Sequence, residues 1–162
     1  IKIPFKIGDT LYYLGNPYII KNKLNSIIKI IDTQNNILFN IKNTSNPHEE
    51  IITQLKKIAT DILLDRIDNI SKKVKLHPKK TTIKSLKSRW GSCSSLQNIN
   101  LNWKLIHAPI NIIDYVIIHE LCHLTHMNHS KQFWLLVKKF DPNYKTHQSW
   151  LKENGNFIRL NY

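Results

Sequence analysis

The first 45 residues alternate short apolar runs with turn residues. Leu11-Tyr12-Tyr13-Leu14, Tyr18-Ile19-Ile20, Ile27 to Ile31 and Ile37 to Ile41 are the runs. Gly8-Asp9, Gly15-Asn16-Pro17 and Asn35-Asn36 punctuate them. Short β-prone stretches between such residues read as strands joined by turns. With Asn35-Asn36 as a hairpin-like turn, the region predicts a small antiparallel sheet. After Pro47 the period changes. Ile51, Leu55, Ile58 and Ile62 recur at three- and four-residue spacing, which marks one face of a helix. Glu49 and Glu50 lie in its first turn, where carboxylates suit the helix dipole. This helix is expected to end near Ser71.

Residues 72–104 return to β character. Thr81-Thr82-Ile83 and Ile99 to Leu105 are strand candidates, with Gly91 to Asn98 as a long hairpin connection. Ile99, Leu101 and Trp103 alternate with Asn100, Asn102 and Lys104, as in a strand with one polar face. Ala108-Pro109 opens the next helix, with Pro near its first turn, and the pattern runs to about Met127. Ile112, Ile113, Val116, Ile117 and Ile118 make its first half apolar nearly all round, which predicts a buried helix. Ser130 can cap a further helix that turns Phe133, Trp134, Val137 and Phe140 inward. Asp141-Pro142 breaks it. A last helix, about Tyr144 to Glu153, is expected to end at Gly155. No repeat, low-complexity tract or linker interrupts this order, which fits one α+β domain over residues 1–162.

A chain of 162 residues with 41% hydrophobic and 22% charged residues excludes disordered, collagenous and disulfide-scaffold classes. No apolar run approaches the ~20 residues of a membrane-spanning helix, so no membrane partner is expected. The chain opens at Ile1 rather than Met, which leaves room for an upstream segment; no secretory signal is visible in it, and one removed by processing stays open. The formal charge of +13 fits a polyanion such as nucleic acid or nucleotide. However, Lys supplies 21 of the basic residues and Arg only 3, while Ile, Lys and Asn together make up 65 of 162 residues. A/T-rich coding produces that bias unselected, and Arg, the bidentate reader of nucleic acids, is scarce. The compositional reading is preferred. Cys93 and Cys122 are the two cysteines, with no CxxC pair. Reduced thiols in a cytoplasmic protein are expected rather than a bridge.

Four of the eight histidines lie between positions 119 and 129. His119-Glu120-Leu121-Cys122-His123 is an HExxH sequence inside the second helical pattern. Residues four apart stand one turn apart on one helix face, so His119 and His123 can aim two imidazoles at one zinc ion. Glu120 sits ~100° round the helix from His119 and flanks the ion, the place of a general base for metal-activated water. A catalytic zinc takes three protein ligands and keeps one position open. His126 is a poor third, because seven residues span ~10.5 Å of helix; an exposed or supporting role suits it better. His129 follows Asn128, which tolerates a left-handed turn that would fold the chain back. It is preferred over His147 and Glu153, which reach the ion only if the last helix docks there. Cys122 reads as a small buried residue. Co²⁺, Ni²⁺ or Mn²⁺ would also suit such histidines.

Ser88-Arg89-Trp90-Gly91-Ser92-Cys93, Ile99-Asn100-Leu101-Asn102, His119 to Leu124, and Asn128-His129-Ser130 with Phe133-Trp134 occur in an order and spacing that resembles the YgjP-like metallopeptidase-domain family. Gly8-Asp9, Leu14-Gly15, Tyr18 and Trp150 to Glu153 look like its two ends. The resemblance implies a single zincin-like domain, with a small antiparallel sheet, a buried HExxH helix, an N-terminal β region over 1–45 and a metallopeptidase-like core over 46–162. It maps the metal ligands onto His119, His123 and His129 and the general base onto Glu120. It also implies an edge strand beside the metal helix for an extended peptide, a place that Ile99 to Leu105 resembles, with Trp90 to Cys93 shaping the wall.

The expected chemistry is hydrolysis by a zinc-dependent enzyme with one catalytic zinc ion, acting on peptides or unfolded protein. Arg89, His107, His126 and His147 are candidate donors to a developing oxyanion. Two alternatives belong to other classes. One is a metal-dependent nucleoside triphosphate pyrophosphohydrolase, which the charge favours but the lack of a carboxylate set or a Gly-rich phosphate loop disfavours. The other is a non-catalytic, nucleic-acid-associated metal-binding module, which has no use for Glu120. Nothing in the sequence sets an oligomeric state.

Overall fold

The apolar runs of the N-terminal region become strands where turn residues let the chain reverse. A computed structural model describes residues 4–23 and 30–159. Strand β1 (Thr10–Tyr13) pairs antiparallel with β2 (Asn16–Asn22) across a two-residue turn, Leu14-Gly15, both at positive φ. That turn matches the right-handed twist of a hairpin. Gly15 is also sterically required, because a Cβ there would lie 2.8 Å from the Pro109 ring. The tip is pinned by Leu14 N–H to the Ile106 carbonyl at 2.8 Å and Gly15 N–H to that of His107 at 3.2 Å.

Strand β3 (Asn36–Phe39) pairs with β2 in parallel. The expected small antiparallel sheet is therefore corrected to a mixed one, of order β1-β2-β3. Apolar alternation specifies which side of a strand is buried, and it carries no information on strand direction. The Asn35-Asn36 turn is present, built on Asp32, whose carboxylate accepts from the backbone of Gln34 and Asn36. An Ile31–Ile37 antiparallel bridge closes it. Most of the expected strand Ile27 to Ile31 lies outside the described residues.

Helix α1 (His48–Val74) buries Ile51, Leu55, Ala59, Leu63, Ile67 and Ser71, one residue per turn. It ends a turn later than Ser71, where Lys75 takes the left-handed conformation and returns its N–H to the Ser71 carbonyl. The second sheet has the order β4 (Lys80–Lys84), β6 (Asn98–Asn102), β5 (Gly91–Cys93). It is also mixed, with β4 parallel and β5 antiparallel to β6. The expected connection Gly91 to Asn98 thus contains a strand of its own. The strand expected to reach Leu105 stops at Asn102, whose side chain accepts from Lys104 N–H at 3.1 Å and starts a 3-10 turn, Trp103–His107. Asn102 itself is buried, its amide donating to the carbonyls of Leu86 and Arg89.

Helix α2 (Ile110–Cys122) is the buried axis of the fold, packed by α1, by both flanking helices and by strands β5 and β6. Helix α3 (Lys131–Phe140) starts at Ser130, whose hydroxyl accepts from Phe133 N–H at 3.3 Å. Helix α4 (Tyr144–Arg159) runs through Gly155 rather than ending there. A Cβ at Gly155 would meet the Trp90 ring at 3.6 Å, an ordinary contact, so the residue is neither a cap nor required there by space. Together these elements make an α+β fold with small mixed sheets. Among the described residues no helix is long and apolar enough to cross a membrane.

Candidate metal centre

The last turn of α2 carries His119 and Glu120, and His123 caps it. Beyond His123 the backbone tightens into successive three-residue bonds, Leu124 N–H to Leu121 and Thr125 N–H to Cys122. The helix therefore ends at Cys122 instead of about Met127. Asn128 is not among the described residues at positive φ. The return is made by this tightened turn, with Ser130 N–H closing on the Asn128 carbonyl at 2.8 Å. His129 is thereby brought back over the helix end.

The three histidines converge. The Nε2 atoms of His123 and His129 lie 3.1 Å apart, and those of His129 and His119 lie 3.2 Å apart. Tetrahedral ligands at ~2.1 Å from one ion stand roughly 3.4 Å apart, so the residues present fit a metal ion. His123 Nδ1 donates to the His126 carbonyl at 2.9 Å. That bond fixes the ring and leaves the Nε2 lone pair facing the cluster, the usual support of a metal-binding imidazole. His126 thus serves through its backbone. Burial lowers the His119 pKa to about 3, and the His123 and His129 charges push it the same way. Burial also lowers that of His123. Neutral rings are the form that binds a cation.

Aromatic side chains hold this arrangement. Phe133 stacks on His123 with centroids 4.4 Å apart, and Trp134 stacks on His129 at 5.8 Å. Tyr144 stacks on the other partner of that column, 5.3 Å from Trp134. Tyr115, one turn before His119, meets that ring edge-on at 6.0 Å. The sequence offered a signal for these walls in the four-residue spacings Tyr115 to His119 and His129 to Phe133, which helical periodicity alone reads as core.

Glu120 is buried, 6% exposed, against strand β5. Burial raises its pKa to about 7, opposed by the positive charge of Arg89. Gly91 makes room for it, since a Cβ there would lie 2.8 Å from Glu120 Cγ and 2.9 Å from Oε1. A pocket of about 190 Å³ opens beside His119 and Glu120, walled by Trp90, Tyr115 and Leu151.

The other sequence candidates lie elsewhere or act indirectly. His147 is tied through Nδ1 to Asp141 at 2.7 Å, and Glu153 is exposed; neither joins the histidine cluster. His107 is buried with Nδ1 2.6 Å from the Tyr12 carbonyl, a strut between β1 and the 3-10 turn. Of the four oxyanion candidates, Arg89 is the one whose charge acts on Glu120. Cys93 and Cys122 are both free, and burial raises their pKa to about 11 and about 12. Cys122 is fully buried behind the site, as a small core residue.

A three-histidine cluster able to hold a metal ion, at the end of a buried helix, defines a metal-binding α+β protein. The chain belongs to the YgjP-like, metallopeptidase domain family, which it matches over residues 2–154. Its fold is similar to that of two solved metallopeptidase zymogens. Abylysin of Pyrococcus abyssi shares 22% identity over 56% of this chain and 93% of its own, with a TM-score of 0.50. Jannalysin of Methanocaldococcus jannaschii shares 18% over 58% of this chain and 97% of its own, with a TM-score of 0.51. At those identities the likeness concerns fold alone. Comparison with curated proteins returned no match.

Proposed function

We propose that the protein is a zinc-dependent peptidase of zincin-like type, with His119, His123 and His129 as ligands to one catalytic ion and Glu120 as general base. The observation that carries this is the convergence of three Nε2 atoms beside a buried carboxylate. An ion held there supplies Lewis acidity, polarising a carbonyl and acidifying water. The chain's own residues do the rest. Glu120, which burial makes a stronger base than a solvated carboxylate, is suited to proton transfer. It takes a proton from the attacking water and passes it to the leaving nitrogen. Gly91 lets the strand close on that carboxylate and keeps it in place.

The substrate is an extended peptide or unfolded protein. Strand β6 is central in its sheet, so the peptide-binding edge moves from Ile99–Leu105 to β5, which borders Glu120 and is an edge among the described strands. Backbone pairing along such an edge gives affinity without demanding one sequence. The 190 Å³ pocket receives one side chain against Trp90, Tyr115 and Leu151. Two free thiols fit a reducing compartment, and we place the protein in the cytoplasm.

The test pairs mixed unfolded peptides with mixed nucleoside triphosphates on zinc-loaded protein, each beside Glu120→Gln. Peptide cleavage should fall about 10²–10⁴-fold in the variant while its zinc content stays unchanged. Cleavage independent of Glu120 removes the base assignment. Glu120-dependent release of pyrophosphate, without peptide cleavage, replaces the peptidase reading by nucleotide hydrolysis.

A further inference from the structure

A second cavity, of about 490 Å³, lies between α1, α2, α3 and α4. It shares no lining residue with the pocket beside the histidines, and the peptidase reading makes no use of it. Its volume is that of a small-molecule site. Ile70, Val74, Ile118 and Phe140 supply apolar wall. The polar part is unequal in charge. Arg66, Lys73 and Lys139 face two carboxylates, Asp114 and Asp141.

Both carboxylates are already engaged at both oxygens. Arg66 holds Asp114 as a fork, with Nε to Oδ1 at 3.0 Å and the second nitrogen on Oδ2. Asp141 receives His147 Nδ1 on Oδ2 at 2.7 Å and Asn143 N–H on Oδ1 at 3.2 Å. Neither Lys73 nor Lys139 has an ion-pair partner among the described residues. Lys139 instead lies over the Phe140 ring, 5.6 Å from its centroid. The cavity thus combines an apolar wall with three fixed cations against two carboxylates, and two of those cations, the ammonium groups of Lys73 and Lys139, have no ion-pair partner among the described residues. Low-dielectric walls concentrate such a field, and burying an anion there is favourable only if a cation meets it.

We propose that this cavity is a binding site for a small organic anion, a carboxylate or phosphate monoester on a short apolar body. The anionic head pairs with Lys73 and Lys139, and the body lies on Val74, Ile118 and Phe140. Arg66 and Asp114 are structural: their mutual fork fixes α1 against α2 and shapes the wall.

The test is a methyl NMR titration of the zinc-loaded protein, which separates this cavity from the metal site by residue. The probes are 3-phenylpropionate, phenyl phosphate, the neutral 3-phenylpropanol and inorganic phosphate. The aryl anions should shift the Ile70 and Val74 methyls of α1 saturably, whichever headgroup binds better. The neutral alcohol and inorganic phosphate should bind at least tenfold more weakly. The double variant Lys73→Gln/Lys139→Gln, at two exposed positions, should weaken the anions at least tenfold with the methyl spectrum otherwise unchanged. Equal binding of the alcohol, equal binding by the variant, or shifts confined to the histidine end of α2 would each overturn the proposal. These outcomes are independent of peptide cleavage, so either reading can fail alone.

Discussion

In the proposed mechanism, Glu120 shows how one side chain's setting decides its chemistry. A carboxyl in water ionises near pH 4, too weak a base for amide hydrolysis. Burial against β5 moves this one to about 7, and the charge of Arg89 restrains the shift. The sign follows: removing Arg89 raises the Glu120 pKa further, so the ionised base is lost at higher pH. Arg89→Gln should therefore move the acid limb of kcat/KM upward, by roughly half a pH unit for an exposed charge. A pH–rate profile reads this directly, and an unmoved or lowered limb would dissociate Arg89 from the base. That His119 and His123 could meet in one cluster was legible in the sequence because a helix dictates their relative directions. His129 was legible as a candidate, but the turn that delivers it was not. That turn depends on three-residue bonds from Leu121 to Thr125, a choice between two helical geometries of nearly equal local energy.

Strand β5 and helix α2 form the pair of elements that encloses Glu120. Their contact is close because Gly91 has no side chain. Gly91→Ala would drive a methyl into the Glu120 carboxylate, whose only relief is to rotate away. We expect a fall in kcat/KM of at least about tenfold, since misplacing a catalytic group by 1 Å costs up to ~10²-fold. Thermal unfolding should show a loss of about 1–3 kcal/mol, the cost of overpacking, because the nearest displaced atom is Cγ of a buried side chain. Full activity in the alanine variant would mean that the carboxylate does not act from this position. The sequence hid β5 because three residues, Gly91-Ser92-Cys93, carry no alternation to detect. It hid the parallel pairing of β2 with β3 and of β4 with β6 for a different reason. Strand direction is set by the path of the connection, and side-chain alternation is the same in either direction. The long helix α1 was legible nearly to its ends, because six buried positions repeat once per turn from Ile51 to Ser71.

Across the whole molecule, strand β1 and the 3-10 turn that leads into α2 are tied through one buried imidazole. His107 bonds the Tyr12 carbonyl at 2.6 Å, and burial lowers its pKa to about 4. In the unfolded chain the same group titrates near 6.5. Between those values the unfolded state binds the proton and the native state does not. Stability is thus fully present above about pH 6.5 and is lost as pH falls towards 4. The loss attributable to His107 should reach on the order of 2 kcal/mol by pH 5. Urea midpoints of the zinc-loaded protein at pH 7 and pH 5 measure it, and His107→Gln should flatten the dependence. An equal slope in the variant would show that His107 is not the group responsible.

The most direct measurement is X-ray absorption at the zinc edge on loaded wild type and on His129→Ala. Wild type should show three imidazole nitrogens at ~2.0–2.1 Å and no sulfur. The variant should show two imidazoles and at least tenfold weaker zinc affinity. An unchanged coordination shell in His129→Ala, or a sulfur ligand from Cys93 or Cys122, would contradict the three-histidine centre on which the rest of the account stands.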